Sequence, residues 1–185
     1  MPIKQRDIYK YYNHNRTVLR FPDELNESIN HIELSPKTRS IIFGYQYNES
    51  IDLITFPPNL QTIEFGNDFN QPIDKVKFPS KIISISFGCK FNQPIHKVIF
   101  PTSIESLSFG YLFDRPLNNL PINLKILTFR NISLENLTNL PPSLEKIIIS
   151  FNSWHHMNCE YAKRIKLPYG CVIVNNNNEP LIQTT

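Results

Sequence analysis

Apolar and polar residues alternate in short runs along this chain, and each run ends on a large apolar residue. Phenylalanine occupies this end position at steps of 22 residues, and the later steps shorten to 20. Brief alternation of β-branched and aromatic residues predicts short β-strands. A unit of about 20 to 30 residues cannot bury its own apolar side, so its copies must stack. The end positions are Phe21, Phe43, Phe65, Phe87, Phe109, Phe129 and Ile149.

The alternation within one run assigns its two faces. Ile63 and Phe65 are expected to point inward and Thr62 and Glu64 outward, because successive strand residues point to opposite faces. Prolines at positions 57, 79, 101, 121 and 141 recur just before the next strand. Proline lacks the N–H that an α-helix needs, so the return side is expected to be extended or made of short 3₁₀ turns. The pattern predicts a β-rich, right-handed solenoid with one short parallel strand per repeat. Glycine after the strand is expected to stop it by adopting positive φ, at Gly44, Gly66, Gly88 and Gly110.

A turn motif follows the strands and carries a family resemblance. Phe-Asn-Gln-Pro-Ile occurs at residues 69–73 and 91–95, each time after a run of the form Leu-x-x-Ile-x-Phe or a close variant. This pattern resembles the FNIP repeat, which is related to leucine-rich repeats, and the resemblance spans residues 16–152. It implies a leucine-rich-repeat-like coil used for protein interaction, of the kind found in social amoebae and giant viruses of amoebae. Such repeats are often attached to an F-box that recruits a ubiquitin ligase.

Asparagine recurs at one position of this turn. A ladder is expected in which the side-chain amides satisfy backbone groups of the bend, since buried polar backbone must find partners. A row of ligand-binding amides is the alternative. The position is expected to face inward, and its residues are Asn26, Asn48, Asn70 and Asn92.

The segment Phe21-Pro22-Asp23-Glu24-Leu25 superficially resembles the start of an F-box. The repeat register explains it better, because Phe21 precedes Phe43 by the same 22-residue step. An F-box also needs several helices over about forty residues, which the repeats occupy. A complete F-box is therefore not expected, and ligase recruitment through the N-terminal segment remains the alternative to a simple scaffold.

The 185 residues fit one domain with three parts. Residues 1–15 are expected to form an N-terminal cap, residues 16–152 the repeats, and residues 153–185 a C-terminal cap with a frayed tail. Within the last part, a short helix from Asn158, a last strand at 171–174 and a sealing role for Trp154 are expected.

Composition argues against several kinds of partner. The net charge is +3 and no concentrated basic stripe occurs, so nucleic-acid binding is not expected. No window approaches about 18 apolar residues, which argues against a membrane span. Three cysteines without a framework and an N-terminus without an apolar stretch indicate a reducing compartment. The expectation is a cytoplasmic monomer, in the host cytoplasm if the protein is viral, with an unknown protein partner.

The sequence contains no arrangement of residues typical of a catalytic or cofactor-binding site. Neither a nucleophile elbow nor a phosphate loop is present, so a non-enzymatic protein is expected. His155, His156 and Cys159, with Cys171, are the only arrangement of metal-ligand types. Adjacent histidines generally point apart and no Cys-x-x-Cys supports them, so no metal site is expected.

The outward face of the strands is the candidate binding surface. Small hydroxyl side chains fill its centre, and isoleucines lie beside lysines towards the C-terminus. Apolar residues grouped this way suggest a contact surface, although ordinary strand-face residues are the alternative. The candidates are Ser40, Ile42, Thr62, Glu64, Ser84, Ser86, Ser106, Ser108, Ile126, Thr128, Lys146 and Ile148.

Overall fold

The computed structural model describes residues 3–133, 136–150 and 166–181. Eight short strands form one parallel sheet in chain order, and each strand pairs with its sequence neighbours. Residues 22 apart lie side by side from β1 to β5, and residues 20 apart from β5 to β7. The predicted β-solenoid is confirmed. The strands are β1 Val18–Arg20, β2 Ser40–Ile42, β3 Thr62–Glu64, β4 Ser84–Ser86, β5 Ser106–Phe109, β6 Ile126–Phe129, β7 Lys146–Ile149 and β8 Val172–Val174.

The run-ending phenylalanines form a continuous column inside the solenoid. Their ring centroids are 5.1–5.6 Å apart from each coil to the next, from Phe21 to Phe129. The rings are close to parallel, and every one is at least 94% buried. Aromatic pairs of this geometry add about 0.5–1.5 kcal/mol each beyond area burial. The rings therefore lie in single file from coil to coil.

A second aromatic column was not foreseen from the sequence. The aromatic residue that opens each turn motif is fully buried and lies 6.1–6.5 Å from its counterpart one coil away. It also contacts the strand phenylalanine of its own coil, with centroids 4.0–4.4 Å apart. The two columns therefore form one aromatic core. The second consists of Tyr47, Phe69, Phe91 and Phe113.

The glycines after the strands serve close packing, and the expectation of positive φ is wrong for Gly44, Gly66, Gly88 and Gly110. Gly170 is the one glycine with positive φ, at 77°. A Cβ on Gly88 would lie 2.1 Å from the carbonyl oxygen of Gly66, and the other three positions are equally closed. Only a residue without Cβ lets the backbone of one coil touch the next there.

Proline turns lead into the strands. The backbone N–H of the third residue after the proline donates to the proline carbonyl, as from Leu60 to Pro57 and from Ile82 to Pro79, both at 3.1 Å. Proline thus acts only as an acceptor, and its missing N–H costs nothing here. The longest helix of the described residues is the 3₁₀ helix Gln5–Tyr11, and their return segments consist of extended chain and short turns, as predicted.

The N-terminal edge of the sheet is closed by chain that folds back on it. The N–H of Asn13 donates to the carbonyl of Val18 at 3.0 Å, and its Oδ1 accepts from the N–H of Thr17 and of Val18. Tyr11 packs on Phe21 with centroids 6.0 Å apart. The free groups of β1 are therefore already used, which limits edge-to-edge pairing.

The C-terminal edge is closed in a similar way. Leu181 donates its N–H to the carbonyl of Ile173, and Asn175 donates to that of Glu179, each at 2.9 Å. The sequence predicts fraying at residues 175–178, whereas the structure has a hydrogen-bonded turn there. The helix expected from Asn158 and the sealing role of Trp154 concern residues outside the described part.

Candidate interaction surface

The structure places all twelve candidate residues on the outer face of the sheet. In each of β2 to β7 the second residue is buried and the first and third are half-buried or exposed, and the fourth residue of β5, β6 and β7 is buried again. Two rows therefore cross β2 to β7 in register. One row is Ser40, Thr62, Ser84, Ser106, Ile126 and Lys146, and the other is Ile42, Glu64, Ser86, Ser108, Thr128 and Ile148.

The centre of this face is flat because its side chains are short. Ser84 and Ser86 of β4 pair with Ser106 and Ser108 of β5. All four are half-buried although they point away from the core. A surface of small hydroxyls leaves the strands open to a partner and offers both donors and acceptors of hydrogen bonds.

The C-terminal end of the face is more apolar. Ile126 is 36% exposed and Val172 of β8 is 41% exposed, and the register places Lys146 between them. Ile148 lies on the same face and is half-buried. Val172 was not among the sequence candidates, although the alternation of residues 171–174 gives its outward direction. These three apolar side chains are the part of the face best suited to a buried protein contact.

The lysines around this apolar group are held by neighbouring coils. Lys125 Nζ lies 3.1 Å from Glu105 Oε2, and Lys146 Nζ donates to Asn178 Oδ1 at 3.3 Å. Both pairs are on the surface, where an ion pair is worth about 1 kcal/mol at most. Lys125 therefore borders the apolar group, whereas Lys146 lies within it, between Ile126 and Val172.

The asparagines of the turn are linked from coil to coil. Asn26 Oδ1 accepts the backbone N–H of Asn48, and Asn48 Oδ1 accepts that of Asn70, both at 2.8 Å. The same bond continues from Asn70 to Asn92 at 2.9 Å and from Asn92 to Asp114 at 3.1 Å. Each side-chain oxygen accepts an N–H of the next coil, so the row links successive coils. The inward placement is wrong for Asn26, which is exposed, because the row lies at the rim of the turn.

The residue after each asparagine strengthens this ladder. Gln71 Nε2 donates to Asn48 Oδ1 at 3.2 Å, and Gln93 Nε2 donates to Asn70 Oδ1 at 3.0 Å. Arg115 replaces the glutamine in the next coil and donates from Nε to the carbonyl of Asn92 at 3.0 Å. The sequence shows Gln at this position twice, which is the signal from which its role could have been inferred.

The described residues contain no group of three or more His, Cys, Asp or Glu side chains that could hold a metal ion. His155, His156 and Cys159 lie outside that part of the chain. Cys171 is buried, and burial raises the pKa of its thiol to about 11. It is therefore a protonated thiol at neutral pH and a poor nucleophile or metal ligand.

A cavity of about 330 Å³ lies at the N-terminal end. Its lining mixes three basic with two acidic side chains over an apolar floor, without a histidine, serine or cysteine for nucleophilic chemistry. In the described residues no helix is long and apolar enough to span a membrane. The cavity is lined by Ile3, Lys4, Arg6, Asp7, Lys10, Tyr11, Leu25 and Glu27.

Comparison with known proteins adds two findings. The family model of the FNIP repeat matches residues 25–68, 47–90 and 91–131. Among solved structures, CroV588, described as a novel circular LRR protein structure, is similar with a TM-score of 0.67 and 28% identity. The match covers 83% of this chain and 22% of that one, so the present chain spans about a fifth of the larger protein. No curated protein matches.

Proposed function

Because the chain belongs to the FNIP-repeat family, we propose that it is a non-catalytic scaffold that binds a protein partner through the outer face of its sheet. The observation that carries the proposal is the apolar group of Ile126, Ile148 and Val172 beside a flat face of hydroxyls. Buried centres of protein interfaces are apolar, with polar rims. Repeat solenoids present extended surfaces of this kind.

The proposal includes a monomeric state and a cytoplasmic location, in the host if the protein is viral. Both outer strands have their edge groups bonded to the same chain, which supports a monomer. The unpaired cysteines in the described residues support a reducing compartment. Recruitment of a ligase finds less support, because the N-terminal segment has one 3₁₀ helix of seven residues where an F-box needs several helices.

Affinity capture with mass spectrometry tests the proposal. The full chain and the double variant Ile126→Asp/Ile148→Asp are used as baits under the same conditions. We expect the variant to lose the partners that the unaltered chain retains, since an aspartate in an apolar contact is left desolvated. Ile122→Asp is the matched control, because Ile122 is 63% exposed and lies on a return segment. Equal capture by all three baits, with unchanged thermal unfolding, would contradict the role of the strand face.

A further inference from the structure

A second surface lies on the return side of three successive coils. Ile54, Val76 and Val98 occupy one position of the repeat, are buried, and each closes the same type of turn. The residues on either side of them therefore point outward. They form two rows across the coils, Leu53, Lys75 and Lys97 in one and Thr55, Lys77 and Ile99 in the other, and all six are exposed. We call these six residues the lysine patch.

The lysines of the patch lie close to one another and have no oppositely charged partner among the described residues. Lys75 and Lys97 lie at one repeat position on adjacent coils, about 4.8 Å apart at the backbone. Like charges on adjacent coils repel each other. Within the described residues Lys75, Lys77 and Lys97 make no ion pair or side-chain hydrogen bond. Elsewhere the preceding coil supplies a partner, as in Lys81–Asn59 at 2.8 Å, Lys90–Asp68 at 2.9 Å and Lys125–Glu105 at 3.1 Å.

The patch combines positive charge with apolar surface. Its three lysines are exposed, and the nearest acidic residues in sequence, Asp52 and Asp74, are half-buried. Leu53 and Ile99 are 73% and 82% exposed, more than any other aliphatic side chain in the described residues. Uncompensated like charges oppose stability, and natural proteins tolerate such conflicts mainly at functional sites. Exposed aliphatic side chains grouped on one surface are typical of contact sites.

We propose that the lysine patch binds an acidic protein segment that also carries aliphatic side chains. The carboxylates would neutralise Lys75, Lys77 and Lys97, and the aliphatic groups would cover Leu53 and Ile99. A nucleic acid offers no apolar surface for these two residues, and its binding usually draws on six to ten phosphate contacts. Binding to an anionic membrane usually depends on a larger basic cluster or on a continuous apolar face of the protein. The proposal rests on the protein-binding function proposed above and names the chemistry of the partner.

Fluorescence anisotropy with a short labelled peptide of Glu-Glu-Leu units tests the proposal on the full chain. We expect saturable binding that weakens as salt rises, because exposed charges are screened. Lys75→Glu/Lys97→Glu should weaken binding about tenfold or more, as expected when attractive surface pairs become repulsive. Leu53→Ser/Ile99→Ser should weaken it without changing the salt dependence.

Lys37→Glu/Lys166→Glu is the matched control, because it changes the net charge equally at two other exposed lysines. It should change the affinity by less than about twofold, since charges beyond a Debye length are screened. Absence of saturable peptide binding, or equal loss in patch and control variants, would overturn the proposal. So would patch-dependent binding to phosphatidylserine vesicles or duplex DNA without binding to the peptide. Because the strand-face variants leave the patch intact, failure here is distinguishable from failure of the scaffold function.

Discussion

Gly88→Ala is expected to break the contact between two coils. The added Cβ would lie 2.1 Å from the Gly66 carbonyl oxygen and 2.5 Å from its carbon. Both are backbone atoms, so the collision is relieved only if the two coils separate by more than about 1 Å. The nearby bond from Phe65 N–H to the Ser86 carbonyl, which joins these two coils, is 2.8 Å and would be strained by such a shift.

The expected loss can be estimated from the contacts at risk. Two or three coil-to-coil hydrogen bonds at about 1 kcal/mol each give a loss of about 3 kcal/mol, at the upper end of the usual cost of overpacking. Urea unfolding followed by circular dichroism measures it. With a denaturant slope of about 2 kcal/mol per molar, the midpoint should fall by about 1.5 M.

Substitution by asparagine distinguishes the two reasons why a position can require glycine, which are close packing and positive φ. Gly170 has φ of 77° and open space around it, so Gly170→Asn should be tolerated because asparagine adopts this region. Gly88→Asn should be at least as harmful as Gly88→Ala, because any Cβ collides. If Gly88→Asn were tolerated, or if Gly88→Ala cost less than Gly170→Ala, the close-packing explanation would be refuted.

Three further predictions concern single residues. Asn70→Ala should lower the free energy of unfolding by about 1–2 kcal/mol in urea titration, because the N–H of Asn92 loses its acceptor. Asn70→Asp keeps that acceptor and should lower the free energy of unfolding by less. Tyr47→Phe should raise the melting temperature by a few degrees, since the Tyr47 hydroxyl is buried with no hydrogen-bond partner in the described residues; a lower melting temperature would refute this reasoning. For Cys171, burial raises the pKa from about 9 to about 11, so stability should fall as the pH rises through that window, because the unfolded thiol ionises first. Cys171→Ala should flatten this part of the pH profile, and an unchanged profile would count against the assignment.

The strands and their faces could be predicted because the 22-residue period and the two-residue alternation are both visible in the sequence. Ile63 is inward and Thr62 outward, and a slip of one residue would exchange them. A strand with one buried face therefore allows only one register. The second aromatic column is not predicted because Phe69 and Phe91 belong to the turn motif in the sequence pattern. Their burial follows from the size of the coil, which the local pattern does not reveal.

The sequence alone does not show why glycine is needed after the strands. Positive φ and close approach both select glycine, and only the distance from Gly88 to the preceding coil separates them. Arg130 stands where the four preceding coils have glycine, and its N–H donates to the Phe109 carbonyl at 3.1 Å. The close approach that requires glycine is therefore confined to the coils up to Gly110 and does not extend to the shorter coil after it.

The binding surfaces were predicted only in part. The direction of Ile126 and Ile148 followed from strand alternation, but Val172 joins them only through the pairing of β7 with β8. The lysine patch depends on stacking of return segments whose spacing the sequence does not state. Lys75 and Lys97 become neighbours only when the coils are stacked in three dimensions.

A double-mutant cycle in the phenylalanine column tests most directly whether successive coils share one interior. Phe65→Leu and Phe87→Leu alter rings 5.3 Å apart, whereas Phe43→Leu and Phe109→Leu alter rings three coils apart. Equilibrium unfolding should give a coupling energy of about 0.5–1.5 kcal/mol for the adjacent pair. The distant pair should be additive within about 0.5 kcal/mol. Additivity of the adjacent pair, or equal coupling in both, would contradict a core built ring upon ring.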